Sequence, residues 1–288
     1  MWRRHARLVA FVALVALTVL FFAGCAASLR TPPPVGSIGA RGASAAAVPA
    51  TPIPATPGDV PRLLEQAAAL FAHRPDGAAV TQARELYLAA ARTDDSRVEG
   101  LLGAVATGAW LIEHSTDRAR RAELSTEGVQ LAQWCRERAP QRIDCDYRLA
   151  LALGQQARER PATAADALPR LTALLGKVVA TAPELDEAGG HRVLALVLLR
   201  APAWPIGPGD PEQGLAHARE AVRLFPGFPP NLLALAEALA ATGASGGKDE
   251  ALHTCAQADQ LARQRLAAGD PDAGEWIDQA ARAAAALR

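Results

Sequence analysis

The stretch GDPEQGLAHAREAVRLFPGFPPNLLALAEALAATG (Gly209–Gly243) decides the fold. Asp210-Pro211-Glu212 is a helix start: Asp accepts from free backbone N–H groups, and Pro at the first helical position lacks only an N–H with no partner there. Gly214, Ala218, Ala221 and Leu224 then recur at helical spacing until Pro226 ends the segment. Leu232, Leu235, Ala236 and Leu239 repeat that spacing on a second helix, which Gly243 closes. Small residues on the first helix and larger ones on the second describe two helices that cross closely. Gly209 and Gly243 are 34 positions apart, so one helix pair fills the interval.

Outward from this pair, segments of similar length alternate with brief Pro, Gly or Asp punctuation. The spacing predicts helices near 60–74, 77–93, 96–114, 117–138, 144–160, 162–182, 185–200, 211–225, 229–242, 248–267 and 271–287. Ala83, Tyr87, Ala90 and Leu101 form a weaker copy of the pattern; Ala251, Cys255 and Ala258 form another, displaced by an insertion at 244–247. Hydrophobic residues make up 50 % of the chain and aromatics 5 %, so Ala and Leu, the best helix formers, carry the apolar weight. The expected fold is all-α, with antiparallel helix pairs stacked over 61–288 into a solenoid and a last helix capping it. The offsets and the period resemble the tetratricopeptide repeat.

The chain begins differently. Arg3, Arg4, His5 and Arg7 precede an uncharged apolar run, Leu8–Phe22, shorter than the ~20 residues a spanning helix needs. Phe22-Ala23-Gly24-Cys25 follows and resembles the lipobox of bacterial lipoproteins, with Phe in place of the commoner Leu. Residues 1–24 are accordingly expected to be a signal peptide and Cys25 a lipidated N-terminus. The segment 25–60, rich in Ala, Pro, Gly, Ser and Thr with almost no charge, is expected to be a flexible tether. The implied location is the bacterial cell envelope, facing the periplasm. Ala26 in place of Asp after the anchor points to the outer membrane by resemblance to Gram-negative sorting.

Charge and cysteines narrow the function. Removal of 1–24 leaves 27 Lys+Arg against 30 Asp+Glu, a net −3, which gives no electrostatic case for nucleic acid. Cys135 and Cys145 flank the break Arg138–Gln141 between two helices; a disulfide and two independent thiols both fit that placement. Cys255 stands alone on its helix. Gly243–Lys248 has the glycines of a phosphate loop, but Asp249 replaces the Ser or Thr that would hold magnesium, and no strand precedes it. Asp144 and Asp146 fit a helix start better than a metal site. No metal, cofactor or catalytic residue is nominated, and the chain is not expected to be an enzyme.

The loop 201–210, with Trp204, Pro205 and Ile206 at its centre, is the candidate contact for a partner or ligand. Trp204 packed beneath its own loop fits the sequence equally well, and core packing is favoured for Trp110, Trp134 and Tyr147. With the preceding helix, the Gly-Asp-Pro-Glu start, the Leu224–Gly227 end and the lipobox, this loop resembles the T-component lipoproteins associated with TRAP transporters. That resemblance implies a periplasmic helical scaffold that engages a solute-binding protein and helps hand over a small ligand. A tetratricopeptide scaffold of an outer-membrane assembly or secretion complex is the alternative. Long Ala-rich faces are compatible with a homo-oligomer.

Overall fold

The computed structural model describes residues 55–243 and 246–288. The expected signal peptide, Cys25 and the tether through residue 54 lie outside the described residues, as do Ala244 and Ser245 of the insertion. Eleven α-helices follow: α1 Val60–Ala72, α2 Gly77–Thr93, α3 Glu99–His114, α4 Arg118–Arg138, α5 Ile143–Glu159, α6 Ala164–Thr181, α7 Leu185–Arg200, α8 Pro211–Leu224, α9 Pro229–Thr242, α10 Gly247–Ala267 and α11 Ala273–Ala286. No β-strand forms among the described residues.

Local chemistry sets these boundaries. Asp210 caps α8 by accepting the Gln213 N–H at 3.0 Å, with Pro211 at the first helical position, and Asp76 and Asp117 cap α2 and α4 in the same manner. Gly243 ends α9 in the left-handed conformation. Two boundaries differ from expectation. Thr56 and Asp59 form a capping box around the 3-10 turn Pro57–Asp59, and Val60 is already core, so folded structure reaches into the segment expected to be tether. Pro271 does not open α11: Asp270 accepts the Asp272 N–H at 3.0 Å, and a turn precedes the helix at Ala273.

Each helix packs against its neighbours in sequence, and α1, α3, α5, α7, α9 and α11 also pack successively on one another. The odd-numbered helices thus form one layer and the even-numbered helices the other. Small residues make the approach close: Ala83, Ala218, Ala221, Ala251 and Ala258 are fully buried. A Cβ on Gly100 of α3 would lie 2.7 Å from the Tyr87 carbonyl and 2.8 Å from the Ala91 nitrogen of α2.

α11 packs on α10 and α9, as a terminal helix must to cover their apolar faces. Its first turn has a second contact. Arg74, after α1, makes a paired contact with Asp272, both N–O distances being 2.7 Å, and His114 at the end of α3 lies 3.7 Å from Glu275. The two ends of the helix series therefore meet.

Cys135 at the end of α4 and Cys145 in the first turn of α5 are bonded, with Cα atoms 5.4 Å apart. Beside them Asp146 is 2 % exposed and pairs with Arg136 of α4 at 2.5 Å and Lys177 of α6 at 2.6 Å, joining three helices. The bridge closes a short loop, 10 positions in sequence. Loop-closure entropy then predicts that Cys135→Ser with Cys145→Ser lowers the unfolding free energy by about 2–3 kcal/mol in urea titrations, and that reductant reproduces the loss in the wild type.

Candidate ligand cavity

The odd layer borders a half-open cavity of about 730 Å³ between α7, α9 and α11. Helical periodicity builds its walls. Arg192, Leu196 and Arg200 stand four apart on α7; Leu233, Ala234, Glu237 and Ala240 line it from α9; Trp276, Gln279, Arg282 and Ala283 line it from α11. The wall is mainly apolar, with charge at fixed points. Arg200 and Glu237 form a bidentate pair with both contacts at 2.6 Å. Arg282 is exposed and has no acidic partner among the described residues.

Aromatic rings and cations cluster at the end of the cavity near Phe228. Phe228 and Trp276 meet edge to face, centroids 5.3 Å apart. The Arg192 guanidinium lies 5.1 Å from the Phe228 centroid, and Arg265 lies 5.0 Å from Phe228 and 5.7 Å from Trp276.

Arg192 is held from beneath by an unusual turn. Asp186, Glu187 and Ala188, at the start of α7, all have left-handed backbones, with φ of 53°, 53° and 62°. Each costs roughly 1–2 kcal/mol for a residue with a Cβ. The turn is fixed on several sides. Tyr147, 2 % exposed, donates its hydroxyl to Asp186 at 2.6 Å; burial, then the Asp186 carboxylate, pushes its pKa far above the ordinary phenol value. Asn231, completely buried, donates to the carbonyls of Glu187, Ala221 and Phe225 and accepts from Arg192 at 2.9 Å. Arg192 also pairs with Asp186 at 2.9 Å, and Arg265 with Glu187 at 3.2 Å.

A second polar cluster lies between α7 and α8, where His191 Nδ1 and His217 Nδ1 are 3.0 Å apart. One ring must carry the proton that the other accepts. Burial lowers both pKa values below the ordinary 6.5; the charge of His217 adds to the effect on His191, while Glu220 opposes it.

The residues nominated from sequence fall elsewhere. Trp204 and Ile206 are 86 % and 84 % exposed, so Trp204 does not pack beneath its loop, and neither these two nor Pro205 lines the cavity. Trp134 and Tyr147 are buried core, and Trp110 is half-buried with its ring stacked on His114, centroids 3.8 Å apart. Asp144 and Asp146 pair with cations. Among the described residues no three His, Cys, Asp or Glu side chains are grouped to hold a metal ion. Sequence reasoning missed Arg192, Phe228 and the cavity-facing role of Trp276; the Arg-Leu-Arg stripe at intervals of four was the signal for the first.

Comparison with models of known protein families and with curated proteins gives no match for this chain.

Two outcomes follow from this geometry. Asn231→Leu keeps the branched shape but removes the donors to three carbonyls and the acceptor of Arg192; urea denaturation should show a loss of about 2–4 kcal/mol. For the histidines, the unfolded chain takes up protons first as pH falls. Stability is therefore full above pH 6.5 and declines below it, before the carboxylates titrate. Melting curves between pH 7.5 and 5 should show this decline, and His217→Gln should flatten it.

Proposed function

We propose that this chain is a lipid-anchored, periplasm-facing helical-repeat binding protein. In this reading it is an accessory component of a TRAP-type solute uptake system that engages a solute-binding protein and holds a small ligand in transit. The observation that carries it is the cavity between α7, α9 and α11, whose size falls in the ~300–1,000 Å³ range of small-molecule sites. The cavity is half-open, but its wall is mainly apolar; a polar groove would instead suit a scaffold that grips extended peptides. The wall combines an apolar body with a few fixed cations, as expected of a site that orients a ligand by one polar end. The lipobox-like Phe22–Cys25 and the Pro-rich loop before α8 support the transporter assignment by resemblance.

The scaffold alternative draws on Trp204 and Ile206, which stand out from the surface as anchors at a protein interface would. Tagged protein isolated from detergent-solubilised envelopes separates the two. Recovery of a periplasmic solute-binding protein with its membrane permease is the expected result. Outer-membrane assembly or secretion proteins, with no solute-binding protein among them, would replace the uptake reading with the scaffold.

A further inference from the structure

The geometry points to a membrane contact: the Trp204–Ile206 loop inserts into the interface of a bilayer, with the end of the cavity marked by Arg200 beside it. This inference takes from the sequence only the reading of Cys25 as a lipid anchor and does not need the transporter assignment.

Among the described residues, Trp204, Ile206 and Leu266 are the large apolar side chains left exposed, and the first two stand on one loop. No residue from Ala201 to Gly209 is charged. Several of the loop's N–H groups are absent or already paired. Pro202, Pro205 and Pro208 have no N–H to desolvate. Ala201 donates to Val197 at 2.9 Å, Ile206 and Gly207 both donate to the Ala203 carbonyl at 3.1 and 3.2 Å, and Gly209 donates to Pro202 at 2.8 Å. Fewer unpaired donors lower the cost of moving the loop from water into the interface. Trp is the side chain enriched at that depth.

A protein partner fits less well. A stable interface takes about 800 Å² from each side, and an aromatic side chain supplies roughly 150–250 Å². The other exposed large apolar residue, Leu266, lies at the far end of α10. Two apolar side chains on a stiff loop are enough for a bilayer, which needs no matching surface. Arg200 at the base of the loop is neutralised by its bidentate pair with Glu237, so it brings no uncompensated charge to the bilayer. Arg200 lines the cavity and directly precedes the loop, so insertion turns that end of the cavity toward the lipid.

The test uses the full chain reconstituted in phosphatidylcholine–phosphatidylglycerol vesicles carrying acyl-brominated phosphatidylcholine, which quenches tryptophans within the bilayer. Flotation first reports whether the chain is membrane-held. The difference in emission between the wild type and Trp204→Phe then isolates Trp204 from the other tryptophans. The expected result is flotation, with a Trp204 emission that shifts to the blue and is lost on bromination; Ile206→Asp should restore it while helical circular dichroism is unchanged. A floating chain whose Trp204 emission bromination leaves unchanged overturns the contact but not the anchor. A blue-shifted but unquenched Trp204 overturns it in favour of a protein surface, and a chain that stays in the aqueous fraction overturns it together with the anchor.

Discussion

Ala218, Ala221, Ala251 and Ala258, all fully buried, and Gly100, which leaves no room for a Cβ, set how closely the helices approach. The other features of the fold depend on that approach. Helices that cross over small side chains can repeat one geometry pair after pair, and the odd-numbered helices then stand beside one another in a single layer. The longer side chains that the crossings cannot take remain on that layer's free face. Arg192, Leu196, Arg200, Leu233 and Trp276 are among them, and they form the cavity wall.

Regular stacking is broken at one place, the start of α7. Three left-handed residues in succession are unfavourable, and they persist because Tyr147, Arg192, Asn231 and Arg265 hold them from four helices or helix ends. The result is an Arg192 side chain fixed over Phe228 at one end of the cavity. At the other end Glu237 is half-buried and paired with Arg200, and Ala240 and Arg282 are exposed.

Most of the architecture was legible from local signals. The Gly-Asp-Pro-Glu start, the Leu224–Pro226 end and the Gly243 stop appear where expected, because capping and helix termination act over a few residues. Cys135 and Cys145 could be recognised as neighbours across a helix break, though bonded and free thiols fitted the sequence equally. What escaped depends on distant parts of the chain. The Arg74–Asp272 contact joins residues 198 positions apart, and Asp146 has the sequence appearance of a helix-start carboxylate although it anchors two cations from other helices. Arg192, Leu196 and Arg200 form a visible stripe at intervals of four, but nothing local shows that α9 and α11 come to lie opposite it. Trp204 drew attention as the unusual residue of its loop, yet the aromatic residues of the cavity are Phe228 and Trp276.

The proposed role requires the cavity between α7, α9 and α11 to receive an amphiphilic small molecule. Ala240 and Ala286 line its open end and are exposed, so Trp at both positions would obstruct entry without disturbing the core. Titration with anilinonaphthalene sulfonate, an apolar anion, tests the claim most directly. The account predicts saturable fluorescence enhancement in the wild type that is lost in Ala240→Trp with Ala286→Trp, while helical circular dichroism is unchanged. Equal enhancement in both proteins would contradict it.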